Sequence, residues 1–366
     1  MNRGPARKKK PVNLALQGGG AHGAFTWGVL DCLLDDDRVV IEAVSGTSAG
    51  AMNAVVLADG LMQGGNDGAR EALENFWRAV SDSALTNPLR RTPIDALLGN
   101  WSLDHSPAYA FFDLLTRVAS PYALNPLNIN PLRDLISEQV DFERVRACDK
   151  MRLFISATNV ETGRVKVFRR DELTADAVMA SACLPFMFQA VVIDDVPYWD
   201  GGYMGNPVLF PFFRHCRSPD IVVVQINPVV REGTPVTARQ ILNRVNEITF
   251  NSSLLREFRA IDFVSRLLEE GRLDEHSYRH VLVHCIAADE ALKDLGASSK
   301  LNAEWAFFRH LFEIGRETAA DWLDRNYEHL GKRSTLDLRP LFQDGPSTTD
   351  CVDSHVDAED RLSRAI

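Results

Sequence analysis

Val12-Asn-Leu-Ala-Leu-Gln-Gly-Gly-Gly-Ala-His-Gly23 and Val39-Val-Ile-Glu-Ala-Val-Ser-Gly-Thr-Ser-Ala-Gly50 decide how this chain folds. Each is a β-like apolar run that breaks into a glycine-rich turn. Helix-like segments follow, at about 24–34 and about 48–61. Strand, tight loop and helix, repeated, is the grammar of a parallel sheet covered by helices. The expected fold is therefore a three-layer α/β/α domain with a largely parallel central sheet.

Further strands are expected at 152–157, 165–168, 191–194, 221–226 and 281–286, the first two joined as a hairpin across Glu161-Thr-Gly163. Residues 100–131, rich in aromatics, Pro and Asn (Trp101, Tyr109, Phe111, Phe112, Tyr122), read as a helical insertion with loops. Beyond about 235 the pattern turns helical. Ile241, Val245, Ile248, Leu255 and Phe258 fall at helix-face spacing, as do Phe308, Leu311, Phe312, Ala319, Trp322 and Leu323. The division expected is a disordered basic arm at 1–11, an α/β domain at 12–234, a mainly helical C-terminal extension packed on it at 235–345, and a polar tail at 346–366.

Gly18 to Gly23 satisfies GxGxxG, which supports two readings. Its amides can approach either a dinucleotide pyrophosphate or the oxyanion of an acyl-transfer reaction. A nucleotide-dependent oxidoreductase needs an acid at the C-terminal end of the second strand to hold the ribose. Asp35, Asp36 and Asp37 precede the 39–44 run and belong at its opposite end. That end delivers Gly46-Thr-Ser48-Ala-Gly50 instead, a GxSxG between strand and helix. Small residues two before and two after Ser48 allow the sharp turn that presents a nucleophilic hydroxyl above a sheet edge. The plain alternative is a helix N-cap serine.

A serine hydroxyl needs a base. No histidine after Ser48 sits in a glycine- or turn-rich setting; His215, fifteen residues beyond Asp200, is retained as a candidate third member. Asp200-Gly201-Gly202 follows the hydrophobic Val196-Pro-Tyr-Trp199 and opens a loop in which backbone amides could hold a carboxylate. An ordinary Asp-Gly turn between strands is the alternative.

These three motifs, in this order and spacing, resemble the patatin-like phospholipases, serine acyl hydrolases with a Ser-Asp dyad. Ala157-Thr-Asn-Val-Glu-Thr-Gly163 and Ala180-Ser-Ala-Cys-Leu-Pro-Phe186 add to the likeness, which covers about 12–206. The resemblance implies Ser48 as nucleophile, Asp200 as base, and amides of Gly18, Gly19 and Gly20 as the oxyanion hole. It implies a lipid acyl hydrolase of phospholipase A type working through an acyl-serine, with no metal or organic cofactor. A non-catalytic lipid-binding protein of the same fold is the alternative. One position departs: many members carry arginine before the last glycine of the first motif, where this chain has His22. A histidine there would be a weaker, pH-dependent substitute.

Composition sets outer limits. Hydrophobic residues are 45% and charged residues 25%, ordinary globular values that exclude wholesale disorder. No apolar run approaches the roughly 18 residues of a membrane span. The net charge is −10, and the first ten residues hold five of the cations (Arg3, Arg7, Lys8, Lys9, Lys10). So acidic a body argues against a nucleic-acid partner. The basic arm, with no apolar segment directly after it, does not read as a secretory signal. It reads as a solvated arm or a weak attraction to anionic lipid. Six cysteines without CxxC or metal-ligand spacing read as reduced thiols. The expected setting is cytoplasmic, with peripheral contact at a membrane surface. The aromatic stretches at 101–112, 185–188 and 209–213 read either as core packing or as an acyl-chain pocket under an apolar cover.

Overall fold

The structure is a computed structural model and describes residues 9–342 apart from 86, 232 and 275. The start of the basic arm (1–8), the tail at 346–366 and Cys351 lie outside the described residues.

Among the described residues one eight-stranded sheet forms the centre: β1 (Lys10–Leu16), β2 (Val39–Gly46), β3 (Arg152–Asn159), β4 (Val165–Arg169), β5 (Val191–Ile193), β6 (Val196–Asp200), β7 (Asp220–Val224) and β8 (Leu282–Ile286). The run β3-β2-β1-β7-β8 is parallel throughout, while β4, β5 and β6 are antiparallel additions beside β3. β3 and β4 form the hairpin expected across 161–163, with Thr158 opposite Val165. β6 is a strand the sequence did not announce. Asp194 and Asp195, both at positive φ (50° and 62°), make a two-residue turn that folds it back on β5.

The register along β3 positions the site. β4 runs along one edge of β3, pairing with residues Phe154 to Thr158. The other edge is shared end to end by β2 and β6: Gly46 lies opposite Ile155, and Asp200 lies opposite Ala157. The last residues of these two strands therefore meet two positions apart on a common ruler, although 154 residues separate them in sequence.

Helices cover both faces. On one lie α1 (Gly23–Asp36), α2 (Ala49–Ser83) and the helix Trp305–Asn326, burying Phe25, Leu30, Val55, Phe308 and Leu311 against Leu14, Leu16 and Val44. α2 is interrupted where Gly64 and Gly65 leave helical geometry, Gly65 at φ 64°. The helix Trp305–Asn326 lies against α1 at very close range. A Cβ on Gly28 would run into the Phe312 carbonyl, and one on Gly315 into the Phe25 carbonyl. Arg316 pairs with Asp31 and Asp35 across the same seam.

On the other face the helix Ala238–Glu269 packs Leu254, Phe258 and Ile261 against Ala15, Phe154, Phe212 and Val223. Its first half departs from expectation. Ile241, Val245 and Ile248 are exposed rather than packed on the core. Helical periodicity shows that a face is apolar but not what covers it. Phe308, Leu311, Phe312, Ala319, Trp322 and Leu323 are all buried as their spacing predicts. β8 lies beyond residue 235 and forms an edge of the central sheet, so this part of the chain supplies sheet as well as helices. The insertion is helical, with Pro107–Val118, Pro121–Leu124 and Pro131–Gln139 each opened by proline at the first helical position.

Candidate active site

Ser48 stands between β2 and α2 at φ 54°, ψ −120°, a backbone state that costs a non-glycine residue about 1–3 kcal/mol. The surroundings hold it there. A Cβ on Gly46 would fall 2.5 Å from the Gly50 carbonyl oxygen, and one on Gly50 would run into the Leu16 carbonyl. Only glycines let the strand and helix close this tightly. The Ser48 amide donates to Ser181 Oγ (2.9 Å), leaving the side chain half-exposed at the first turn of α2. The positive end of the helix dipole there favours developing negative charge.

Asp200, the last residue of β6, is buried and fixed on every side. Its amide donates to the Cys183 carbonyl (2.8 Å), its carbonyl accepts from Thr158 Oγ1 (2.8 Å), and its Oδ1 accepts from the Gly202 amide (2.6 Å). The Ser48 hydroxyl is near enough to favour the ionised carboxylate. Burial pushes the Asp200 carboxyl up to about 7, against the opposing pull of the Gly202 amide, Ser48 and the Lys300 ammonium.

The turn after Asp200 ties the three motifs together. The Gly205 carbonyl accepts from Thr47 Oγ1 (2.7 Å) and Ser156 Oγ (2.9 Å), which joins it to the elbow. Asn206 Oδ1 accepts from the Gly18 amide (2.7 Å), which joins it to the glycine loop. The loop carbonyl of Gly18 accepts from Asn227 Nδ2 (2.8 Å), and Gln17 Oε1 accepts from the amides of Ile226 and Asn227. With its amide engaged by Asn206, Gly18 contributes position rather than a donor. This narrows the expectation of three oxyanion amides to those of Gly19 and Gly20, neither of which donates within the described residues.

Residues 14–212, more than half the chain, match the patatin-like phospholipase family. The chain belongs to this family. Similar solved structures are VipD from Legionella pneumophila and the type III effector ExoU, which also occurs with SpcU in a heterodimeric complex from Pseudomonas aeruginosa. VipD is 16% identical, with 87% of this chain and 67% of that one covered at a TM-score of 0.40. ExoU is 16% identical, with 86% and 53% covered at 0.36. The chain thus spans between about half and two thirds of these longer proteins. No curated protein matches it.

The remaining candidates of this patatin-like chain fall elsewhere. His215 stacks on Phe154 (5.8 Å) beside Arg152, Arg169 and Arg214, and bonds to neither Ser48 nor Asp200. It lines a cavity of about 480 Å³ with Phe154, Arg169 and Phe210. Asp36 and Asp37 close α1 just before β2 begins, and Asp35 pairs with Arg70 and Arg316, all at the end of β2 away from Ser48. His22 is buried, its Nε2 2.8 Å from Ser299 Oγ. Burial, reinforced by the Lys300 charge, holds its pKa down at about 3. At neutral pH it is uncharged, so it is not the pH-dependent stand-in for arginine that the sequence suggested.

Sequence reasoning missed Ser156, Ser181, Asn227 and Lys300. Ser181 lies in a segment noted for family likeness, and Asn227 follows a parallel strand at its C-terminal end, where ligand sites of α/β sheets cluster. Lys300 carries no local signal.

Among the described residues no helix is long and apolar enough to cross a membrane.

Proposed function

We propose that this chain hydrolyses a fatty-acyl ester of a phospholipid or lysophospholipid, with Ser48 as nucleophile and Asp200 as its base. Family membership supports lipid hydrolysis. The observation that carries the finer reading is the β3 register that brings the ends of β2 and β6 together, with Ser48 after one and the buried Asp200 ending the other, beside a glycine loop whose Gly19 and Gly20 amides donate to nothing within the described residues. As Ser48 Oγ attacks the ester carbonyl, Asp200 takes its proton. The amides of Gly19 and Gly20 and the α2 dipole receive the oxyanion. Collapse expels the alcohol, which takes the proton from Asp200, and water then releases the fatty acid by the reverse sequence. An ordinary carboxylate is a feeble base for this step; one with a pKa near 7 is matched to it.

The lipid-facing edge belongs to the insertion. Helix Pro107–Val118 exposes Phe111 (66%), Leu114 (59%) and Val118 (75%). On one side the insertion bonds to the Lys300 segment through Ser102 and Ser298. On the other, Gln189 and Ala190 bond to Asn125 and Tyr122, close to the Cys183 carbonyl that holds Asp200. An apolar rim so placed suits peripheral contact with a membrane from the cytoplasmic side.

Intact mass and adduct mapping after fluorophosphonate treatment test the assignment. The expected adduct is on Ser48 and is absent in Ser48→Ala. Ser48→Ala and Asp200→Asn each lower ester hydrolysis by about 10³-fold or more while remaining folded. A folded wild-type protein that neither labels nor hydrolyses would favour a lipid-binding role. Substantial hydrolysis by Asp200→Asn would remove the dyad.

A further inference from the structure

We propose that Lys300, outside the family-matched region, is the positioning cation of the active site. It would orient the oxyanion loop through Asn227 and hold Asp200 in its ionised form. The inference rests on the hydrolase reading given above and extends it.

The segment Ser298–Leu301 is clamped against the glycine loop. The carbonyl of Lys300 lies 2.5 Å from where a Cβ on Gly20 would sit, and Ser299 Oγ bonds to His22. The Lys300 ammonium donates to Asn227 Oδ1 (2.6 Å), and Asn227 Nδ2 donates to the Gly18 carbonyl (2.8 Å). A relay of two hydrogen bonds thus runs from the ammonium to the peptide that leads into Gly19. Polarising Asn227 at its oxygen strengthens the bond it donates at its nitrogen.

Two acids favour the Lys300 ammonium, Glu247 first and Asp200 second, and Arg231 opposes it, while His22 is kept neutral. Glu247 is already bridged by Arg231 (2.6 Å) and Arg244 (3.1 Å). Among the described residues Asp200 forms no ion pair and feels the Lys300 charge through space; the other titratable groups that feel its own charge are Tyr203 and Cys183, both pushed upward chiefly by burial. Position 22 holds an uncharged ring hydrogen-bonded to the residue beside Lys300.

Burial brings Lys300 down to about 8, just above Asp200 at about 7. Activity needs the carboxylate ionised and the ammonium protonated. The wild-type kcat profile is therefore expected to be a narrow bell, rising through about pH 7 and falling above about pH 8.

The test is kcat and KM against pH, with a soluble ester, for wild type, Lys300→Met and Lys300→Arg, each checked by its melting transition and by labelling of Ser48. Lys300→Met should lose about 10- to 100-fold in kcat with little change in KM. Its acid limb should move to higher pH and its alkaline limb should vanish. Lys300→Arg, whose guanidinium does not deprotonate in this range, should keep the acid limb and lose only the alkaline decline. A folded Lys300→Met with the wild-type profile overturns the inference, as does a Lys300→Arg that still declines above pH 8. Should Lys300→Met not fold, Lys300→Arg against wild type decides alone. Absence of Ser48 labelling in wild type would instead overturn the hydrolase reading, and this inference with it.

Discussion

Replacing the candidate base should make the protein more stable as it makes it inactive. Asp200 is buried with one backbone donor, one hydroxyl and one nearby cation, and its carboxyl titrates at about 7 rather than 3.8. A displacement of that size corresponds to about 4 kcal/mol of preference for the protonated form in the folded state. The sign follows from proton counts. Between pH 4 and 7 the folded protein holds a proton that the unfolded chain has lost, so stability falls as pH rises across this window. Below about pH 4 the penalty is absent; above about pH 7 it is complete. Asp200→Asn keeps the shape and can accept from the Gly202 amide, but it has no charge to desolvate. Urea unfolding of both proteins should give nearly equal stabilities at pH 4. At pH 8 the variant should be more stable by up to about 4 kcal/mol, less whatever Lys300 loses with its counter-charge. Equal stabilities at pH 8, or a difference that does not change with pH, would refute the account of Asp200 as a carboxylate ionised at the expense of the fold.

Two further outcomes follow from the same geometry. Thr47→Val keeps the shape of a side chain that donates to the Gly205 carbonyl; it should lower stability by about 1–3 kcal/mol in urea titrations and reduce kcat more than it changes KM. Phe111→Ser combined with Leu114→Ser removes two exposed apolar side chains from the rim. Activity on micellar ester should fall about tenfold or more while hydrolysis of a soluble ester is unchanged.

What the sequence disclosed is what sterics force into it. The elbow requires Gly46 and Gly50 because two carbonyls occupy the space of their side chains, and that demand is visible as GxSxG. The glycine loop, the hairpin at 161–163 and the buried stripe of the helix Trp305–Asn326 were legible for the same kind of reason. β6 was not. It is five residues long with Pro197 inside it, and proline weighs against a strand unless tertiary pairing supplies partners, here Val192 and the end of β3. Asp200 was thus found by its motif while its position at the tip of a strand stayed hidden. Lys300 was invisible and Asn227 was marked only by its place after a strand end, since their roles come from meeting Gly20 and Gly18 across about 200 to 280 residues of chain. Such meetings leave no periodicity and no local composition to read.

The two strained elements of the site have one origin in the sheet. Because β2 and β6 end against neighbouring positions of β3, Ser48 must leave its strand through a sharp turn, and Asp200 must end its own strand beneath that turn, away from water. Moving the carboxylate outward would relieve its desolvation, yet would return it to an ordinary pKa and, in the mechanism proposed above, weaken it as a base. Relaxing the elbow would lower the strain on Ser48 and move its hydroxyl away from the end of β6 and the glycine loop. On that proposed mechanism, stability and reactivity are opposed at the same two residues. What offsets the cost must come from parts of the molecule that take no part in the chemistry, chiefly the close seam between α1 and the helix Trp305–Asn326, where Gly28 and Gly315 allow contact at backbone distance.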